Sequence, residues 1–211
     1  QNYNSYQLIK EVDNSQLISK KFISDTNRQS KRLNLIGKLS HKLAVSISEK
    51  EKVLNFFFVN KKKQLISTNS WNYLDNETYS SFLRKLFISN DSHISYLSLD
   101  DKIIAVHLGY VKNKKLTYLF PAYDREYSNF SPGNILLLEM INIFFNNHGN
   151  EFDFTTGNEP YKLRLANTKQ EIFYKNISLN IKGNFLRIIL EFSNYIKKIK
   201  VLRLFIQKIR Y

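Results

Sequence analysis

Apolar positions recur along the chain with two different periods, and the change of period divides it. Over residues 22–39 and 49–66 they fall at helical spacing, the second stretch carrying NFFFVNKKK at its middle. Asp75-Asn76-Glu77 offers capping chemistry to a further helix that ends near Ile88. Residues 41–47, between the first two helices, alternate as a strand does. The period then drops to two. Residues 93–99, 103–112 and 115–123 read as three strands, joined by the turns LDDK and KNKK. Ser131 opens a nearly all-apolar helix to about Asn147, with Gly149 near its C′ position. Next come a short strand over 151–155, the turn TTGNEPYK leading into a short helix, a strand over 170–180, and one long amphipathic helix from Asn184 to the end. Residues 1–20 are polar and are expected to be loosely held or to form a short helix.

This order is helices, then an antiparallel meander, then a strand–loop–helix–strand unit that needs a crossover. It predicts an α/β (α+β) domain with a mixed, mostly antiparallel sheet and one parallel joint. The expected organisation is a polar segment over 1–21, one domain over 22–181 and a basic amphipathic helix over 182–211. Ligands favour a parallel joint, because strand ends part there and a helix N-terminus points into the gap.

The helix after the third meander strand starts with FSPGN. Ser131 suits the N-cap, and Pro132 suits the first helical position, where an N–H would be unpaired anyway. Gly133 lets another molecule approach the backbone closely. The amides of Gly133, Asn134 and Ile135 are expected to be free donors at the positive end of the helix, an anion site built without Lys or Arg. The alternative is that Ser-Pro-Gly merely starts a helix.

Composition narrows the rest. The chain has 211 residues, 43% of them hydrophobic and 14% aromatic, enough for a real core. No apolar run free of charges reaches the length of a membrane span. With Gln1 first and Met140 the only methionine, the chain reads as a processed or trimmed product. There is no cysteine, and the four histidines form no HxH or HExxH pattern, so no metal site is expected. The net charge of +14 points to anionic partners: cofactor phosphates, a nucleotide-linked substrate or a lipid surface. Much of it is concentrated at one end, where eight Lys or Arg face a single acid, Glu191, between Lys182 and Arg210.

The stretches IIAVHLGY, LTYLFPAYDREYSNFSPGNILLLEMI and GNEFDFTTGNEPYKLRL resemble the acetyltransferase domain of CelD-like proteins found in polysaccharide-biosynthesis loci. That group belongs to the GNAT superfamily and is similar to the Fem-type aminoacyltransferases. The resemblance is strong over residues 94–165 and weaker over 26–88, where NRQSKRL stands for the family's basic helix. It implies a GNAT fold with a splayed parallel strand pair flanked by helices. An acyl-CoA, acetyl-CoA or a longer one, would lie between the strand ending at Tyr123 and the one starting near Glu151. Tyr123, Ser131, Pro132, Gly133, Asn134 and Ile135 are the implied cofactor-binding residues. The Ser-Pro-Gly spelling departs from the usual phosphate loop and leaves an acyl carrier protein open as donor.

Acyl transfer from a thioester to an amine needs the amine deprotonated, the carbonyl oxygen stabilised and the thiolate protonated. His107 lies on one strand face between the small residues Ala105 and Gly109, which predicts a hollow beside an imidazole. It is read as a general base or substrate-binding group, against a core histidine satisfied by a neighbour. Asp153, between Phe152 and Phe154, needs a partner. It is expected to bind the acceptor amine or to pair with Lys162 or Arg164. The resemblance implies Tyr161 as proton donor to the thiolate, against a simply packed aromatic. Glu159 and Lys162 are candidates for holding the acceptor, and Asp124 for lining the pocket, against a simple Asx-capped turn. His41, His93 and His148 sit at element edges and are expected at the surface.

The C-terminal helix sets Ile189, Phe192, Ile196, Ile199, Leu202, Ile206 and Ile209 apart from Lys197, Lys200 and Arg203. It suits either an anionic membrane surface or packing on the domain with a solvated cationic face. The expectation is therefore an N-acyltransferase acting on the amine of a sugar or nucleotide-sugar for surface polysaccharide. Its location is expected to be cytoplasmic, with contact to the inner face of the membrane through 182–211. The alternatives are a Fem-like aminoacyltransferase using aminoacyl-tRNA and a non-catalytic basic module for nucleic acid or membrane.

Overall fold

The computed structural model describes residues 2–10, 18–89, 91–157, 159–173 and 177–198. The elements in chain order are β1 (Asn2–Ile9), α1 (Lys20–Asn34), β2 (Leu39–Leu43), α2 (Ile47–Ser67), α3 (Glu77–Ile88), β3 (Ser92–Leu99), β4 (Lys102–Lys112), β5 (Lys115–Tyr123), α4 (Pro132–Asn146), β6 (Glu151–Thr156), α5 (Pro160–Leu165), β7 (Thr168–Phe173) and α6 (Ile181–Lys198). Caps fix where the first three helices begin. Ser19 accepts from the Phe22 amide, Ser46 from Glu49 and Asn76 from Tyr79.

The strands form one sheet in the order β2-β3-β4-β5-β6-β1-β7. All the pairs described run antiparallel except β5–β6. Alternation along β3 and β4 sends Ile94, Tyr96, Val106 and Leu108 into a core beneath α2 and α3. Leu97, Leu99 and Ala105 join a second core with α1 and α4. α4 buries Ile135, Leu136, Leu137, Leu138, Met140, Ile141 and Phe145, while Glu139, Asn142 and Asn146 form its exposed stripe.

Three departures from the sequence reading matter. Residues 2–9, expected to be loose or helical, form β1, which pairs β6 from Ile9↔Glu151 to Ser5↔Thr156. Tyr6 and Leu8 bury in the core beneath α1 and α4. Two apolar anchors in an otherwise polar run are a weak periodic signal, yet enough once β6 offers an edge. The strand expected over 170–180 covers Thr168–Phe173, and residues 177–180 are not strand. Finally, one compact unit spans Tyr3–Glu171, and residues from Ile172 onward, including α6, form another. The helix expected from Asn184 begins at Ile181. Its expected apolar and basic positions from Ile199 onward lie outside the described residues.

Candidate active site

The parallel pair carries the geometry. β5 and β6 are in register at Lys115↔Glu151, Leu116↔Phe152 and Thr117↔Asp153, and their pairing stops there. β5 continues to Tyr123 and β6 to Thr156, so the strands part into a wedge. β1 holds the far edge of β6 throughout this stretch, which lets β6 leave β5 without losing all its partners.

Asp153 pins the point of divergence. Its Oδ1 accepts from the Thr155 amide (2.8 Å) and the Ser5 hydroxyl (3.2 Å), and Lys115 Nζ lies 2.8 Å from Oδ2 and 2.7 Å from Glu151. The expected partners Lys162 and Arg164 are replaced by Lys115, a neighbour made by the parallel register that sequence spacing does not display. Thr155 adopts a left-handed conformation (φ 63°) as β6 turns away.

Aromatic rings fill the apex. Tyr118 from β5 and Phe154 from β6 meet edge to face at 6.3 Å, and Tyr161 from α5 completes the group at 6.2 and 6.3 Å from them. Burial, then the charge of Glu159, raises the Tyr161 phenol, so it stays protonated at neutral pH.

His107 stands behind this group. It is fully buried, stacks on Tyr118 at 4.2 Å and accepts a hydrogen bond from the Leu119 amide through Nε2 (3.2 Å). Leu119 is the extra residue of a bulge: Leu108 faces Phe120 and Gly109 faces Tyr118. The hollow expected beside Gly109 does not exist. A Cβ there would lie 2.6 Å from His107 Cε1 and collide with the Thr117 carbonyl, so the missing side chain is the space the imidazole itself occupies. Burial, then His93, holds the His107 imidazole well below its ordinary value.

At the mouth of the wedge stands the start of α4. Ser131 occupies the N-cap position, but in the left-handed region (φ 51°, ψ 52°) with no side-chain cap bond. The expected capping by its hydroxyl is therefore absent. The amides also need correction. Ile135 N–H closes the first helical bond onto the Ser131 carbonyl (3.3 Å), and Asn134 N–H turns back to the same oxygen (2.9 Å). A helix capped at 131 frees only the amides before its fourth residue, and Pro132 has none, so Gly133 is the donor that points outward. A Cβ on Gly133 would meet only the Tyr123 ring, at 3.7 Å.

Beside this corner lies a cavity of about 270 Å³ between α1 and the start of α4. Lys21, Arg28 and Arg164 line it with Ser131 and Asn134, against one acid among the described residues, Asp25. The sequence marks none of the three cations as a phosphate ligand; Arg164 is expected only as a partner for Asp153. Lys21 and Arg28 belong to a helix more than a hundred residues from Gly133, and the helical spacing of that segment was their only local signal.

The remaining predicted residues fall at the corner between β6 and α5 or on the opposite strand end. Lys162 is buried and committed, donating to the Thr156 carbonyl (2.7 Å) and pairing with Glu159 (3.0 Å). It therefore has no free ammonium to hold an acceptor group. Glu159 stays exposed. Asp124 caps a short 3₁₀ turn through the Glu126 amide (3.1 Å) and pairs with Lys102 (3.2 Å), as the Asx-turn alternative has it. On the other face of the sheet, Lys61 of α2 donates to the Pro121 carbonyl on β5 (3.1 Å), and burial lowers its pKa. Among the described residues, no group of three or more His, Asp or Glu is placed to hold a metal.

A sequence profile of the acetyltransferase (GNAT) domain matches residues 20–163. Among functionally curated proteins, none matches the chain. Solved structures of similar fold include a conserved protein of unknown function from Bacteroides thetaiotaomicron (TM-score 0.56, 14% identity, covering 80% of this chain and 58% of that one). FemX is similar at a TM-score of 0.58 and 10% identity, over 80% of this chain and 59% of that chain. A C-terminal DUF2156 domain from Agrobacterium fabrum is similar at 0.56 and 10%, over 81% and 59%. At such identities the likeness establishes the fold. This chain spans less than two thirds of the length of each.

Proposed function

The chain belongs to the acetyltransferase (GNAT) domain family, and from that premise we propose that it transfers an acyl group from a CoA thioester to an amine. The observation that carries this reading is the β5–β6 pair, which stops at Thr117↔Asp153 and opens toward the start of α4. An extended pantetheine arm can lie along a strand edge that a neighbouring strand has left, and among the described residues β5 has no strand partner on its β6 side from Tyr118 to Tyr123.

In this proposal the diphosphate meets the Gly133 amide at the positive end of α4, and Lys21, Arg28 and Arg164 neutralise the remaining phosphate charge. Tyr123, next to Gly133, borders the acyl arm. The amine nitrogen attacks the thioester carbonyl carbon directly, the carbon–sulfur bond breaks, and the departing thiolate, met by a hydrogen bond from the Tyr161 hydroxyl, takes its proton from water. Burial keeps that phenol neutral, so its O–H remains a hydrogen-bond donor to the developing negative charge on sulfur. The amine's own proton leaves to water past Glu159, the exposed carboxylate at the corner. His107 acts as a positioning residue. It occupies the amide of the Leu119 bulge and so sets the course of β5 along the wedge. The acceptor we propose is the amine of a sugar or nucleotide-sugar. That choice rests on the resemblance to the polysaccharide-locus acetyltransferases.

A thiol-release assay across acyl-CoAs, run with a panel of amino sugars, tests the proposal. Saturable acetyl-CoA binding with amine-dependent thiol release is expected, and Tyr161→Phe should lower turnover more than binding. Absence of CoA binding at millimolar concentration would overturn it.

A further inference from the structure

The four histidines of the chain, scattered in sequence at 41, 93, 107 and 148, converge on one region of the fold. A cavity of about 350 Å³ lies between the C-terminal half of α4 and the strands β2 and β3, at the closed end of the β5–β6 pair. His41 from β2, His93 from β3 and His148 from the loop after α4 line it, and the His107 ring lies 6.2 Å behind that of His93. The expectation that these edge histidines are surface groups holds for His148; His41 and His93 are half-buried.

Two features set this cavity apart from ordinary packing. First, its polar atoms lack partners. His41 Nε2, His93 Nδ1 and the hydroxyl of Ser95, a fully buried residue that lines the cavity, are all buried and reach no group of the chain at hydrogen-bond geometry. Buried polar atoms are nearly always satisfied, and leaving one unmade costs about 1–3 kcal/mol, so unsatisfied groups gathered round a cavity call for an outside partner. Second, the lining is one-sided. Its floor and rim are apolar, with Met140, Ile143 and Val111, and its ionisable groups are the three imidazoles and Lys114. Among the described residues no Asp or Glu lines it.

We propose that this cavity is a second binding site, separate from the wedge, for a small organic carboxylate with an apolar body. The carboxylate would lie against His41, His93 and Ser95, where every ionisable neighbour is neutral or cationic, and the body would lie against α4. The site faces the paired end of β5 and β6, whereas the acyl arm needs the open end, so the two sites fill independently.

The test uses the whole chain and para-trifluoromethylbenzoate, followed by fluorine NMR, with para-trifluoromethylbenzamide as the uncharged control. Benzoate should bind, and the imidazole resonances of His41 and His93 should move with it. Binding should tighten as the pH falls, since a bound carboxylate favours the charged forms of His41 and His93, which burial otherwise disfavours. Ser95→Ala should weaken binding by about tenfold, the loss of one hydrogen bond to a charged group. Val111→Trp, a change at the exposed rim, should abolish it by filling the mouth. Acetyl-CoA binding should survive both variants, which separates failure here from failure of the acyltransferase proposal. The site is refuted if benzamide binds as well as benzoate, if Ser95→Ala and Val111→Trp leave binding intact in folded protein, or if Zn²⁺ rather than benzoate moves the histidine resonances.

Discussion

At the N-terminal end of α4 a cavity of about 270 Å³ is lined by Lys21, Arg28 and Arg164; at its C-terminal end one of about 350 Å³ is lined by His41, His93 and His148. Both sit on the same face of the sheet and share one buried helix. Their charge chemistry differs in kind. Lysine and arginine are cations as residue types throughout the neutral range, and the helix dipole adds to them at its positive end. At the other end burial shifts His41 and His93 toward their neutral forms, with no lining carboxylate among the described residues to offset the desolvation. In the two proposals one end would hold an anion throughout the neutral range, and the other more tightly as the pH falls.

The largest expected effect separates the two ends by pH. Burial, then the neighbouring His41, lowers His93 from 6.5 to about 4. Unfolding restores the ordinary value, so between those limits the unfolded chain binds the extra proton. Stability is therefore present above pH 6.5 and lost as the pH falls toward 4, by on the order of 3 kcal/mol. Urea denaturation across that range should show a shallower loss for His93→Gln than for the wild-type chain. Identical slopes would show that the histidine end carries no such penalty.

Next in size is Gly133→Ala, which acts on the other end alone. The added carbon has only Tyr123 nearby, so the melting temperature should hold. The approach to the Gly133 amide is blocked, and acetyl-CoA affinity by calorimetry should fall about tenfold, some 1.4 kcal/mol. A smaller effect is expected from Arg28→Gln combined with Arg164→Gln. Affinity for acetyl-CoA should drop by about threefold to tenfold, with a shallower salt dependence, because exposed cations steer and hold phosphate only through screened fields. Smallest is Asp25→Asn. It removes the exposed pair with Arg28 (3.2 Å) and the one acid that lines that mouth among the described residues. Stability should stay within about 0.5 kcal/mol, and acetyl-CoA binding should improve slightly.

Much of the scaffold is legible in the residues. The meander, the crossover helix and the parallel joint follow from period and turn chemistry, and FSPGN marks the start of α4 within its true boundary. Reading failed where a residue's role depends on a neighbour from elsewhere in the chain. Asp153 was placed correctly in β6, but its partner Lys115 became visible only once the two strands lay side by side. Gly109 beside His107 looked like a hollow because alternation reports faces, not how far a ring reaches along one. β1 was missed because its strand character depends on an edge of β6 that the local sequence does not contain.

The sequence by itself determined the helices and the meander strands, though not β1, together with where the crossover falls and that a glycine-backed helix start faces the gap. Those properties depend on contacts between residues a few positions apart. Tertiary structure alone decided that Lys21 and Arg164 share a cavity with Asn134, and that histidines at 41, 93 and 148 meet under α4. Such meetings depend on which sheet edges pair and on how far each side chain extends across the packed layers, quantities that no local spacing records.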